Sequence, residues 1–263
     1  MRKYFRTVKC TLNMPSWSKK REVITIYKWI EKELDNGSYK GVYSDEKTEL
    51  ENKIIEAVRT FPEIMFVESR WIQDPFQKMS QGIWNLALRN DMVNLLVELA
   101  KPEYYRVKLP DDDHVYSNYY ESINILIRYL GNKIDALKIE EQNLLANTIF
   151  NALKDDDILL YQREDYGNLA VNHASFMKKT DVLDPVFKTY LNHPIASLQQ
   201  GYYGQYNLGM LCAKYKRQDL FNLAYQNPVA REQKNIDGYT MIDVALENGL
   251  TIPTLTDDEG CEE

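Results

Sequence analysis

The chain has 263 residues, of which 44% are hydrophobic and 27% are charged, and its formal net charge is −7. This composition is ordinary for a folded globular protein, and the negative charge disfavours nucleic acid, because binding phosphates requires a basic surface. No run of 18 apolar residues occurs, so no membrane-spanning helix is predicted. Three widely spaced cysteines indicate a reducing compartment without a disulfide framework.

The first segment, residues 1–43, is interpreted as a basic lead-in followed by a capping helix. Seven of the first 21 residues are Lys or Arg, and the apolar stretch of a secretory signal is missing. Residues 19–35 then show helical periodicity, and Asn36-Gly37 is expected to end the helix. The apolar positions of this helix are Val23, Ile26, Tyr27, Ile30 and Leu34.

Two helical hairpins are predicted next. Ser44 or Asp45 begins a helix, and Phe61-Pro62 turns the chain into a second apolar helix around residues 64–67. Residues 82–100 repeat the arrangement, with a helix after Gly82, a tight turn near Asp91 and a Leu-rich second helix. Residues 101–165 are less regular: two helical patterns, 119–130 and 139–153, are separated by Gly131-Asn132, which predicts a break.

Three further units follow, at residues 166–183, 206–221 and 236–249. Their small residues align at Ala174, Cys212 and Ala245, which are 38 and 33 residues apart. The last unit is the clearest. Asp237-Gly238 predicts a turn, Thr240 a helix cap and Asn248-Gly249 a helix stop, because Gly and Asn tolerate the left-handed backbone conformation.

This turn–helix–stop unit resembles the ankyrin repeat, whose period is about 33 residues. The resemblance implies an all-α solenoid of helical hairpins over residues 44–252, with an irregular middle at 101–165 and an acidic tail at 253–263. Leu88 and Asp91 depart from the family pattern, which usually has Ala and Gly at these positions. A TPR-like array and a non-repeating helical bundle are the alternatives.

The resemblance also implies a protein-interaction module that has no catalysis or cofactor of its own. It would bind a protein partner through a concave, acidic, Tyr-rich surface and inhibit or tether it. Aromatic residues dominate interface hot spots. The candidate contact residues are Trp71, Trp84, Tyr202, Tyr203, Tyr206 and Tyr239. For Trp84, packing in the core between repeats is the favoured interpretation.

Divergent ankyrin-like proteins of this size occur among bacterial effectors and their regulators. The resemblance therefore implies a cytoplasmic protein, or one delivered to a host cytosol, that is a monomer or a weak dimer and spans no membrane.

The rival hypothesis is an enzyme with a site in a repeat groove. His114 follows Asp111–Asp113, and such nitrogen and oxygen ligands could hold a metal ion. The other histidines favour structural roles: His173 lies inside a predicted helix, where the resemblance implies that it bonds neighbouring loops, and His193-Pro194 is typical of a turn. Cys212 is expected to be a buried, unreactive thiol. No P-loop, G-x-S-x-G or H-E-x-x-H motif is present.

Overall fold

The protein is all-α in the computed structural model, as the sequence predicts. The structure describes residues 16–35, 39, 44–66, 82–105, 115–155, 160, 168–201 and 205–254. Among these residues there is no strand, and the single isolated bridge pairs Gln200 with Asn207 in antiparallel fashion. The chain divides into two compact units, Met1–Asp112 and Asp113–Glu263, called unit 1 and unit 2 below. None of the helices in the described part of the chain is long and apolar enough to cross a bilayer.

Unit 1 contains five described α-helices. They are α1 (Ser16–Asp35), α2 (Asp45–Thr60), α3 (Ile83–Arg89), α4 (Val93–Leu99) and α5 (Pro102–Tyr105). Helix α1 packs on α3, and α2 packs on α4. The predicted helix at residues 64–67 is instead a 3-10 helix, Pro62–Phe66, and Val67 lies outside the described residues.

Polar side chains define how α2 meets α4. Ser44 caps α2, as predicted, and its Oγ accepts from the amide of Lys47 at 3.1 Å. One turn further along α2, Glu51 is buried, and its Oε1 accepts from the amide of Leu95 at 2.9 Å. Because Leu95 lies in the first turn of α4, this carboxylate supplies the cap that the residue before α4, Met92, cannot make.

Unit 2 contains eight described α-helices. They are α6 (Val115–Lys133), α7 (Ile139–Asp155), α8 (Leu169–His173), α9 (Asp184–Asn192), α10 (Leu208–Lys214), α11 (Gln218–Tyr225), α12 (Pro228–Glu232) and α13 (Met241–Glu247). Two 3-10 helices, Ala174–Lys178 and Ala196–Leu198, follow α8 and α9.

The helices of unit 2 form two layers of successive neighbours. In one layer α6 contacts α8, α8 contacts α10, and α10 contacts α13. In the other layer α7 contacts α9, and α9 contacts α11. Large side chains fill the core, and the largest fully buried ones include Tyr120, Phe187, Tyr190 and Phe221. Helices α6 and α7 lie in the region 101–165, which the sequence does not align with the other units. In the structure they contact α8 and α9, respectively.

The predicted break between two helices is confirmed, but it lies later than Gly131-Asn132. Helix α6 continues through these residues to Lys133, and α7 begins at Ile139. An added Cβ at residue 131 would lie 2.3 Å from Cδ2 of Phe176, so the position is small in order to accept that ring.

Three helices end in the same backbone turn. After α3, α10 and α13, the third residue beyond the helix donates its amide to the carbonyls of Ala87, Cys212 and Ala245 at 3.0, 2.9 and 2.9 Å. The residue before it has a positive φ: 50° at Asp91, 59° at Lys216 and 74° at Gly249. These are Schellman turns, and two of them fall at Cys212 and Ala245, which the sequence aligns, whereas Ala174 begins a 3-10 helix.

Candidate functional site

Capping side chains begin the corresponding helices of unit 2. Asn168, Asn207 and Thr240 each accept a hydrogen bond from the backbone amide three residues ahead, at 2.9, 2.9 and 3.3 Å. Thr240 completes a capping box with Asp243. The two asparagines are buried, and their amide groups donate onward to the carbonyls of Ala196 and Ala230 at 2.9 and 3.2 Å. Each cap therefore also fixes the segment that precedes the next cap.

Those segments are two connectors of related sequence. The first connector is residues 193–206, of which 202–204 are outside the described residues, and the second is residues 227–239. They begin with His-Pro-Ile-Ala and Asn-Pro-Val-Ala, 34 residues apart, and share a Gln three residues later. This repeat can be recognised in the sequence only when the two connectors are aligned with each other.

The shared sequence produces the same local structure. His193 Nδ1 accepts from the amides of the second and third residues after it, at 3.3 and 3.0 Å. Asn227 Oδ1 accepts from the equivalent amides at 3.1 and 3.2 Å. The predicted turn at His193-Pro194 is confirmed, and its imidazole acts as a capping acceptor.

Side-chain hydrogen bonds tie the two connectors side by side. Gln233 Nε2 donates to the carbonyl of Leu198 at 2.9 Å, and Gln200 Nε2 donates to the carbonyl of Lys234 at 2.8 Å. Asn227 Nδ2 donates to Ser197 Oγ at 3.0 Å. Connected in this way, the connectors present one continuous surface rather than two independent loops.

Large apolar side chains are exposed on that surface. Ile195 and Val229, at equivalent positions, are 52% and 59% exposed, and Ile236 and Tyr239 are 67% and 51% exposed. They are four of the seven most exposed large apolar side chains in the described part of the chain. We call the set Ile195, Tyr206, Val229, Ile236 and Tyr239 the connector surface.

Tyr206 and Tyr239, both predicted contact residues, occupy equivalent positions. Each directly precedes a helix cap, and each carbonyl accepts a backbone bond that closes its connector, from Gly201 and Asn235, at 2.9 Å in both cases. Tyr239 is exposed, whereas Tyr206 is half-buried and carries Lys214 Nζ 4.5 Å from its ring centroid.

The remaining predicted contact residues are not on this surface. Trp84 is 1% exposed and packs inside unit 1, so its placement on a contact surface is wrong and the favoured interpretation, a core tryptophan, is what the structure contains. Trp71, Tyr202 and Tyr203 lie outside the described residues.

His173 has the structural role expected of it. Its Nε2 lies 2.6 Å from Oδ1 of Asn124 on α6, and its ring stacks on Phe176 with the centroids 5.6 Å apart. Burial, with a smaller contribution from the positive charge of Arg128, lowers the pKa of His173 to about 4. The ring is therefore neutral at physiological pH and binds a helix rather than a loop.

Cys212 is buried, as expected, and its Sγ lies 3.9 Å from Sδ of Met177. Burial raises the pKa of this thiol, which keeps it protonated and unreactive.

Arg217 gathers acidic side chains at the turn between α10 and α11. Its Nη2 lies 2.6 Å from Asp184 Oδ2, its Nη1 lies 3.2 Å from Asp181 Oδ1, and Nη1 also donates to the carbonyl of Met177 at 3.2 Å. Burial raises the pKa of Asp184 even though Arg217 opposes the shift. These contacts connect the 3-10 helix after α8, the start of α9 and the turn after α10, so we assign Arg217 a structural role.

His114 and Asp111–Asp113, the residues of the rival enzyme hypothesis, lie outside the described residues. Within the ranges that are described, no group of three or more His, Cys, Asp or Glu side chains is placed to hold a metal ion. The described residues define an all-α protein. No protein-family model, curated protein or solved structure matches the chain.

Proposed function

We propose that unit 2 is an ankyrin-like solenoid and that its function is to bind another protein through the connector surface. The observation that carries this proposal is the group of exposed apolar side chains on the tied connectors, at Ile195, Val229, Ile236 and Tyr239. Scattered single apolar residues are normal on any surface, but here Ile195 and Val229 recur at equivalent positions, and all four side chains lie on segments that are hydrogen-bonded to each other, which favours an interaction site.

The repeated backbone geometry supports the solenoid part of the proposal. Caps at Asn168, Asn207 and Thr240 recur after 39 and 33 residues, and the turns after α10 and α13 have the same hydrogen bonds. The two layers of successive neighbours are the arrangement in which each hairpin buries its apolar face on the next. Helices α3 and α4 of unit 1 share the turn, which extends the proposal to that unit.

The described parts of the connectors are held in place by hydrogen bonds, which lowers the ordering cost of binding. The side chains of Gln200, Asn207 and Gln233 donate to backbone carbonyls, and Asn227 Nδ2 donates to Ser197 Oγ. A preorganised surface loses less conformational entropy on association, so modest apolar contacts contribute more net affinity. Inhibition or tethering of the partner would follow from this binding alone, without catalysis.

The test compares two variants of the full chain as bait in affinity capture. One variant replaces Val229, Ile236 and Tyr239 with Ser. The matched control replaces Ile139 and Leu144, which are also exposed apolar residues but lie on α7. We expect a protein that is retained by the wild type and the control and lost from the connector variant, because a hot-spot truncation costs about 2 kcal/mol or more. If every captured protein is retained equally by both variants, the connector surface is not the binding site.

A further inference from the structure

Four exposed lysines lie at the C-terminal ends of two neighbouring helices of unit 2, the 3-10 helix Ala174–Lys178 and α10. Lys178 and Lys179 end the 3-10 helix after α8, and Lys214 and Lys216 stand at the end of α10. Lys178 Nζ lies 4.7 Å from the ring centroid of Tyr215, the residue between Lys214 and Lys216, which places Lys178 beside the end of α10, whereas Lys179 Nζ lies 5.6 Å from the ring centroid of Phe176. We call these four residues the lysine strip.

The lysines of the strip lie beside Arg217 and its carboxylate partners Asp181, Asp184 and Asp219, so both charges are present here, with the positive ones in excess. None of the four ammonium groups makes an ion pair with a residue that the structure describes, although the whole chain has a net charge of −7. Two of them instead lie over tyrosine rings, Lys178 over Tyr215 and Lys214 over Tyr206. Charges of one sign held close together attract a ligand of the opposite sign.

Helix stabilisation explains only part of the strip. A lysine near a helix C-terminus interacts favourably with the helix dipole, which accounts for Lys178, Lys179 and Lys214. Lys216, however, lies beyond the end of α10 with φ of 59°, in the left-handed region that favours glycine. The equivalent position after α13 is Gly249. Asp91 occupies the equivalent position after α3, so the turn accepts residues other than glycine, and the strained Lys216 is left with an exposed charge that helix stabilisation does not explain.

The strip is continuous with the connector surface, because the ammonium of Lys214 covers the ring of Tyr206. It ends at the next unit, where Glu247 stands at the position equivalent to Lys214. A long polyanion such as nucleic acid would run from the strip onto this acidic helix, whereas a short acidic segment would not. The size and sign of the strip thus fit a few consecutive carboxylates.

We propose, resting on the interaction function above, that the lysine strip binds a short acidic segment of the protein partner. The partner would place apolar side chains on the connector surface and Asp or Glu residues on Lys178, Lys214 and Lys216. Binding would therefore combine apolar contacts with a charge term that salt weakens.

The test measures the fluorescence anisotropy of a labelled ten-residue polyglutamate peptide with the full chain at about 50 and 200 mM salt. The strip variant is Lys178→Glu with Lys214→Glu and Lys216→Glu. The control matched in charge is Lys138→Glu with Lys154→Glu and Lys188→Glu, at three exposed lysines of unit 2 outside the strip. We expect the Kd of the strip variant to rise about tenfold or more and the control to change less than about twofold. The single change Lys216→Gly, which keeps the turn, should also weaken binding.

Equal affinity of the wild type and the strip variant would overturn the proposal, as would tighter binding of a ten-nucleotide single-stranded DNA than of the peptide. Capture of the protein partner separates this failure from failure of the proposed function. If the strip variant retains the partner with unchanged affinity and the connector variant loses it, the interaction function stands and the acidic segment is ruled out.

Discussion

The ring of Phe176 packs directly on the backbone of Gly131, since an added Cβ there would lie 2.3–2.4 Å from three of its ring atoms. The Phe176 ring is also confined by His173, because the two rings stack on each other. The ring consequently has little room to move away from α6, and the tight contact determines how α8 and its 3-10 extension sit on that helix.

Gly131→Ala should lower the free energy of unfolding of unit 2 by about 1–3 kcal/mol, because overpacking against a confined ring is costly. This sign is informative, since in an unconstrained helix the same change would stabilise by about 1 kcal/mol. Urea titration followed by hydrogen exchange of the α6 amides measures it. Asn132→Ala, at the exposed neighbouring residue, is the control and should change stability by less than about 0.5 kcal/mol. A stabilised Gly131→Ala protein would contradict the packing.

Ala245→Leu should overpack the contact between α13 and α10 and destabilise by about 1–3 kcal/mol. Ala245 is fully buried, and these two helices approach so closely that a Cβ on Gly209 would lie 2.3 Å from Cε of Met241. Thermal unfolding measures the effect. Leu246→Ala, at a side chain that is exposed on the same helix, should leave the melting temperature nearly unchanged. An unchanged melting temperature for Ala245→Leu would mean that residue 245 does not lie in the contact.

Several helix starts and ends could be predicted from the sequence, because the hydrogen bonds that cause them are local. Ser44 and Thr240 cap helices, and Asn248-Gly249 stops one, through bonds within a few residues. Gly131 could not be interpreted in this way. Gly-Asn in a helical pattern normally indicates a stop, and α6 does end at Lys133, but residue 131 is small because a ring contributed by a distant segment packs on it.

The candidate site was only partly predictable, for a related reason. Tyr239 follows a recognisable turn and is exposed, but an aromatic residue in a helix, such as Trp84, carries no local sign of which side it faces. Ile195 and Val229 become visible only when the two connectors are aligned with each other. The lysine strip is hidden by the net charge, which averages over the whole chain.

Lys216→Gly should raise the free energy of unfolding by about 0.5–1 kcal/mol, because glycine adopts the left-handed conformation without a Cβ penalty. Gly249→Ala tests the same turn in reverse and should destabilise by about 1 kcal/mol. Chemical denaturation of both variants checks the pair. If Lys216→Gly destabilises, the side chain makes a stabilising contact and the strain argument for its use in binding is lost.

Unit 1 should lose stability in acid because of Glu98. Burial alone would raise the pKa of this carboxyl, but hydrogen bonds from Arg59, Tyr104 and Lys101 outweigh burial and lower the pKa to about 2 from 4.5. Arg59 donates twice, at 2.8 and 2.6 Å. A depressed pKa stabilises the fold above about pH 4.5, and the contribution disappears as pH falls towards 2. Glu98→Gln should abolish this part of the pH dependence, measured by hydrogen exchange in α4; an unaltered acid profile would contradict it.

Unit 2 should also lose stability in acid, because of His173, and the loss should begin at a higher pH than the loss that Glu98 causes in unit 1. The pKa of its ring is about 4 in the folded protein, against 6.5 for an unperturbed histidine. Between these values the unfolded chain binds a proton that the folded chain does not. Stability is therefore full above about pH 6.5 and declines as pH falls towards 4, by roughly 3 kcal/mol in total.

The decisive measurement for His173 compares unfolding of the wild type and His173→Gln at several pH values between 8 and 4. Glutamine retains a donor for Asn124 Oδ1 but does not titrate, so its cost at pH 8 isolates the packing of the ring against Phe176. The stability difference between the two proteins should then shrink as pH falls, because only the wild type loses the contribution of a neutral ring. A difference that is constant with pH would show that residue 173 binds its proton equally well in the folded and unfolded chains.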